Sequence, residues 1–465
     1  MTQAPLPPSA HLSQPSAQPD LYDSGSVGPS GGDILQARKV ALAILQDIFV
    51  KRHTLDQAFD DQTSFARLET RDRSFVRMMV ATVIRRLGQI DDLIRRALVR
   101  PDQPLNPPVL EYILRLGVAQ LVFMNIPDHA AVNTSVQLVE AEGQSRMKGF
   151  VNAILRRIAA EGKDWTTRQD IPRLNTPEWL LKIWINDYGL KGALDIAMAN
   201  LNEAALDLTL AYNEDARHWA DQLEADVLPT RTLRLRAARL VQDLPGYQAG
   251  VWWVQDAAAA LPATLFGTLG PDDVVVDLCA APGGKTAQLA AQGARVLAVD
   301  RSAKRLLRLQ ENMKRLGFED QVKTEVADAS VWRTRENVPF ILLDAPCSAT
   351  GTVRRNPDVI WMKSHADLRS LVDLQAKLLV NAVSMLMSGG ILVYCTCSLQ
   401  KEEGEQQIEK LLEQRPDIER VPIHASEIGG LGELITPRGD IRILPYHLLD
   451  QGGMDGFFVA RLRKR

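Results

Sequence analysis

The sequence predicts an α/β protein: a doubly wound parallel sheet, preceded by an all-helical domain and a small α+β linker domain. Three patterns predict it. From Val251 onward, short apolar runs alternate with helical stretches, as strand–helix–strand units do. Residues 34–162 carry only the helical period. Residues 163–250 mix one long helical segment with two short apolar runs.

Taken in order, residues 1–33 are rich in Pro, Ser, Gly and Gln and contain no Lys or Arg, so a disordered tail is expected. In 34–162, Val40, Ile44, Leu45 and Ile48 form one helical stripe, and Phe75, Met78, Met79 and Ile84 another. Pro101, Pro104, Pro107 and Pro108 break the run before 109–123 resumes it, which predicts about six or seven helices. Arg71, Arg73, Arg77, Arg85, Arg86, Arg95, Arg96 and Arg100 cluster here. Such a face attracts a phosphate backbone, although it serves equally as solvated surface. Asn133, Glu140, Lys148 and Arg156 fall on the last two helices as surface residues.

A polar connection at 163–175 opens the linker domain, 163–250. Thr176-Pro177-Glu178 then predicts a helix start with Thr176 as N-cap, and Trp179, Ile183 and Trp184 give that helix an apolar face. Residues 206–211 and 232–235 read as strands. In the last domain, 251–465, strands are expected at 274–277, 295–299, 322–327, 341–343, 391–394 and 456–462. Helices are expected at 286–292, 303–316 and 367–387.

Composition bounds the function. A chain of 465 residues, 46% apolar and 24% charged, is an ordinary soluble protein of about three domains. Net charge is −3, so nucleic-acid binding is not written in the overall balance. Four cysteines make no disulfide framework and point to a reducing, cytoplasmic setting. No apolar run of about 18 residues and no signal-peptide pattern appear, so no membrane association is expected. No Cys/His spacing fits a metal site, and His447 stands alone as a structural residue.

The strongest cofactor signal is Val276-Asp277-Leu278-Cys279-Ala280-Ala281-Pro282-Gly283-Gly284-Lys285-Thr286. A strand runs into a loop of small residues and then a helix, where free N–H groups and glycines admit a ligand closely. The pattern is neither G-x-G-x-x-G nor a phosphate-binding P-loop. An uncharged loop of this kind suits a zwitterionic amino-acid group better than a pyrophosphate. Asp300 ends the next strand, where an acid suits ribose hydroxyls. Asp328 and Asp344 end the two after it.

Two cysteines carry the reaction signal: Cys347 in Asp344-Ala-Pro-Cys347, and Cys397 in Cys395-Thr396-Cys397-Ser398. Each follows an expected strand, and strand ends in an open parallel sheet line one crevice. Methylating carbon 5 of a pyrimidine calls for a thiolate on carbon 6 first, because carbon 5 is not nucleophilic by itself. Either cysteine alone reads better as a small buried hydrophobe, as Cys395 and Cys279 do. Together with the loop, they do not.

These motifs resemble the RNA cytosine-5 methyltransferases: the Asp277–Thr286 loop, Asp300 with Arg305, Asp344 through Cys347 and Arg354-Arg355 to Asp358, and Thr396-Cys397-Ser398. The helical domain resembles a NusB-type RNA-binding domain. The combination is similar to the RsmB (Sun/Fmu) family over residues 34–465. That resemblance implies a Rossmann-like methyltransferase domain with S-adenosylmethionine on Cys279, Ala280, Ala281, Pro282, Gly283, Gly284, Lys285, Asp300, Arg305, Asp328 and Asp344. It implies Cys397 as nucleophile, Cys347 as the group that helps release product, Asp344 at the cytosine edge, and Arg354 and Arg355 on RNA phosphates. The implied substrate is a cytosine of 16S rRNA, free or in an early small-subunit intermediate, methylated through a covalent cysteine–RNA adduct. Transfer RNA is the alternative substrate. A non-catalytic RNA-binding assembly factor is the alternative class, which needs neither thiol. Residue chemistry alone leaves open which cysteine attacks. The chain departs from the family pattern at Ala211 and Ala260.

Overall fold

The computed structural model describes residues 34–237 and 239–465; the expected tail at 1–33 lies outside the described residues. Eight α-helical segments fill Ile34 to Thr166, against the six or seven expected. The surplus comes from Leu55–Asp61 and Thr63–Ala66, too short to show an apolar period. Thr54 and Gln57 start the first of them with a reciprocal capping box. The stripe on Ile34–Phe49 is the buried face: Val40, Ile44, Leu45 and Ile48 all sit in the core with Met79 and Ile84.

The linker begins with the helix Glu178–Ala199, where Pro177 rather than Thr176 takes the N-cap position and no side chain caps it. Thr176 is buried instead. Gly189 kinks this helix at φ 72°, a conformation that side chains resist. Trp184 is fully buried beneath it. Four short strands follow, β1 (Asp207–Leu210), β2 (Ala225–Val227), β3 (Leu233–Leu235) and β4 (Trp252–Val254), in the antiparallel order β2-β3-β1-β4. The sequence predicts no strand at β4 and places its residues in the last domain. The β4 pairing of Leu208 with Val254 and Leu210 with Trp252 carries the linker sheet past residue 250.

The last domain holds β5 (Val274–Leu278), β6 (Arg295–Asp300), β7 (Val322–Val326), β8 (Val338–Asp344), β9 (Leu386–Thr396), β10 (Ile418–Arg420), β11 (Ile441–Ile443) and β12 (Phe457–Lys464). The strand order is β10-β12-β9-β8-β5-β6-β7, with β11 also on β12. β5 to β9 pair in parallel, as expected. β12 runs antiparallel against β9, and β10 and β11 antiparallel against β12, so the sheet is mixed at that edge. The chain leaves β5 one way through β6 and β7, then returns to β8 on its other side. That reversal is the topological switch point, where a crevice opens beyond the strand ends. Apolar residues of β5 and β8, such as Val276, Leu278, Ile341 and Leu343, are completely buried. Among the described residues no helix is long and apolar enough to cross a membrane.

Candidate active site

Both cysteine segments leave neighbouring strands at this crevice. β8 and β9 pair in register from Ile341 with Leu392 to Asp344 with Cys395. The stitching continues past the strands, with Ala345 N–H donating to Cys395 O at 2.9 Å and Gly351 N–H to Cys397 O at 2.9 Å. Gly351 is required there, because a Cβ would lie 2.0 Å from Gly456 O. The result is a sulfur pair: Cys347 Sγ and Cys397 Sγ stand 3.4 Å apart, within hydrogen-bonding range. The described cysteines are all free.

The electrostatics differ around the thiols. The hydrogen bond with Cys397, burial, and the nearby Glu403 carboxylate hold the Cys347 thiol well above its usual range. Cys395 is fully buried; burial and Asp344, to which its Sγ donates at 3.5 Å, also keep it a thiol. Cys279 is pushed up to about 12, first by burial and then by Asp300, Asp344 and Asp277.

Asp344 is partly exposed and pairs with Lys285 at 2.7 Å. Burial opposes charge on Lys285, but Asp344 and the neighbouring sulfurs Cys395 and Cys397 outweigh it and keep the ammonium above its ordinary value. Lys285 also lies 5.0 Å over the Phe457 ring. The amine thus anchors the small-residue loop to the carboxylate beside the sulfurs.

Between Cys279 and Gly284 no side chain is larger than proline, which leaves the backbone approachable. Gly283 adopts φ 103°, and a Cβ there would meet Leu309 at 2.8 Å. Asp277 is fully interior: Thr286 Oγ1 donates to it at 2.6 Å, and burial raises its carboxyl to about 7. Asp300 is also buried and ties the loop down, accepting from Ala281 N–H at 3.3 Å and Ser302 N–H at 2.9 Å. Arg305 bridges Asp300 and the Ala281 carbonyl. Asp328 is exposed at the rim, and its bonds from Ser330 hold it below the usual carboxylate range. A small neutral loop flanked by carboxylates fits the zwitterion and the hydroxyl and amine donors of S-adenosylmethionine.

The two arginines are placed differently from each other, and Arg354 departs from expectation. Arg354 is 2% exposed, and burial lowers its pKa. Its guanidinium donates to Glu203 O of the linker at 3.4 Å and to Gly452 O. A side chain so enclosed is an interior tie between domains and does not reach a phosphate in solvent. Arg355 pairs with buried Asp455 while 38% of its side chain stays exposed. Glu403, Gln375 and Asp455 are buried near the site and were not foreseen; none stands in a recognisable motif. His447 is structural as expected, accepting from Leu444 N–H at 3.1 Å. The described residues hold no His/Cys/Asp/Glu group able to bind a metal.

Known proteins match this arrangement. The family described as 16S rRNA methyltransferase RsmB/F matches residues 266–463, and the NusB family matches 35–160. Ribosomal RNA small subunit methyltransferase B of Vibrio cholerae is 32% identical over 450 residues, covering 93% of this chain and 99% of the relative. The protein of that name from Sodalis glossinidius is 35% identical, over 76% of this chain and 84% of its own. Among solved structures, PH0851 superposes with TM-score 0.71 at 24% identity, covering 92% of this chain and 98% of that one. NSun6 from Pyrococcus horikoshii, solved with SFG, has TM-score 0.53 at 20% identity, over 62% of this chain and 98% of that one. These two likenesses speak for the fold.

Proposed function

This chain belongs to the S-adenosylmethionine-dependent RsmB/F family of small-subunit ribosomal RNA methyltransferases, and from that premise we propose that it methylates carbon 5 of a cytosine in 16S rRNA. The observation that carries the reading is the 3.4 Å pair of Cys347 and Cys397 beside Asp344. The hydrogen bond with Cys397, burial and the Glu403 carboxylate keep Cys347 a thiol suited to proton transfer, and we assign to Cys397 the attack on carbon 6. Asp344 meets the cytosine amino group or N3 and polarises the ring as the Sγ–C6 bond forms. S-adenosylmethionine, when bound, supplies an electrophilic methyl group. Release breaks the Sγ–C6 bond and removes the proton from carbon 5. Cys347, kept as a thiol, protonates the departing Cys397 sulfur and regains its proton from carbon 5. The residues at 279–285 with Asp300, Arg305, Asp328 and Asp344 hold the cofactor, directly or by shaping the loop. Arg355 keeps an exposed edge for an RNA phosphate. Attack from the ring face requires an unpaired or flipped base.

The test compares wild type, Cys397→Ala and Cys347→Ala on unmethylated 16S rRNA with labelled S-adenosylmethionine, scoring 5-methylcytosine and denaturation-resistant protein–RNA adduct. The expected result is loss of both with Cys397→Ala and accumulation of adduct with Cys347→Ala. The opposite pattern exchanges the two roles. Methylation of tRNA but not of rRNA overturns the substrate.

A further inference from the structure

Backbone bonds at Ala345 and Gly351 join the two cysteine loops on either side of Cys347, and side chains complete the grip between them. The residue after each cysteine is a serine, Ser348 and Ser398, and both serines turn inward onto one carboxylate, Glu403. Glu403 is completely buried on the short helical turn Lys401–Glu403. Ser348 offers its N–H to Oε1 at 2.8 Å and its hydroxyl to Oε2, and Ser398 offers its hydroxyl to Oε2. Gln375, also completely buried, donates to Oε1 at 2.9 Å and to Pro346 O, the residue before Cys347, at 2.8 Å. Tyr394 of β9 hydrogen-bonds to the Glu403 carbonyl at 2.7 Å, which holds the turn under the site. A buried carboxylate costs several kcal/mol unless hydrogen-bonded, and donors from both cysteine loops satisfy this one.

We propose that Glu403 is a positioning residue of the methyl transfer: by gripping Ser348 and Ser398 together, it sets the spacing of the two catalytic thiols. This rests on the two-thiol reading above and adds a group that touches neither substrate nor sulfur. Its second effect is electrostatic. After the hydrogen bond with Cys397 and burial, the Glu403 carboxylate adds to what holds the Cys347 thiol above its usual range. Glu403→Ala removes the acceptor from both serine loops and so releases the grip.

The test uses the full chain as Glu403→Ala and reads spacing without reference to turnover. A short bifunctional bromobimane bridges two thiols only when they are adjacent, and peptide mass spectrometry reports the Cys347–Cys397 bridge. Wild type is expected to bridge. Glu403→Ala is expected to lose the bridge while each cysteine still reacts singly and S-adenosylmethionine binding is unchanged. Alkylation of Cys347 by iodoacetamide is expected to begin at lower pH in the variant. On 16S rRNA, kcat is expected to fall about 100-fold, with KM little changed. Should Glu403→Ala fail to fold, Ser348→Ala and Ser398→Ala carry the test, each loosening one loop and lowering the bridge yield. Bridging and an alkylation profile equal to wild type overturn the proposal. Bridging lost on mutation, with a wild type that methylates no RNA, upholds the positioning role and sinks the assigned reaction instead.

Discussion

Two halves of one motif, Asp344 to Cys347 and Arg354 to Asp358, lie within fifteen residues of each other and do opposite work. The first half faces the crevice: Asp344 is partly exposed, and Cys347 meets Cys397 at 3.4 Å. The second half turns inward and joins three domains. Arg354 ties the linker to the C-terminal segment through Glu203 O and Gly452 O, and its own carbonyl accepts from Arg85 of the helical domain at 3.0 Å. Asp358, 2% exposed, accepts Leu55 N–H of the same domain at 2.9 Å. Trp361 then donates to Ile84 O at 3.1 Å and packs on the helical core. A motif read as one chemical unit is thus a sulfur-bearing tip followed by an assembly joint. The loop bearing Cys347 is braced directly by the domain that resembles an RNA-binding module.

Substitutions that separate the halves sharpen this contrast. The largest effect is expected from Cys397→Ala, which should abolish methylation while shifting unfolding free energy by about 1 kcal/mol or less, read by denaturant titration beside the rRNA assay. Arg354→Met should do the converse. It leaves buried carbonyls unpaired and should cost about 2–4 kcal/mol in the same titration. The slope of log affinity for RNA against log salt should stay at the wild-type value. Arg355→Met, at the exposed edge, should reduce that slope by about one, and equal slopes for the two arginine variants would break the distinction. A smaller loss, about 1–3 kcal/mol, is expected for Asp358→Ala, with hydrogen exchange rising first at Leu55 on the domain seam.

A last effect concerns pH. Burial raises Asp277 to about 7 in the folded chain from an ordinary 3.8. The folded state therefore holds this proton more tightly than the unfolded state. Its contribution is most favourable below pH 4, weakens as pH rises toward 7, and levels above that. Asp277→Asn keeps an acceptor for Thr286 and should flatten that stretch of the stability profile. An unchanged slope in thermal melts between pH 4 and 7 would show that Asp277 ionises as easily folded as unfolded.

The limits of sequence reading follow from the same contrast. The strands ending at Leu278, Asp300 and Asp344 and the sulfur-bearing turns were legible because each is local: an apolar run, then small residues or a thiol. β2, β4, β10 and β11 were missed because each has only three residues, and β4 pairs with β1 more than forty residues upstream, beyond any local pattern. The burial of Arg354 was hidden because charge type says nothing about which carbonyls the fold will bring to it.

By itself the sequence determined the three-part architecture and placed a small-residue loop and two cysteines after strands, since apolar period and residue chemistry act over a few neighbouring positions. Only the tertiary structure decided that the sulfurs meet, that Asp344 pairs with Lys285, and that Glu403 stands beneath both loops. Those contacts join groups 50, 59 and 55 residues apart. Their geometry is set by strand order and register, which no local pattern encodes.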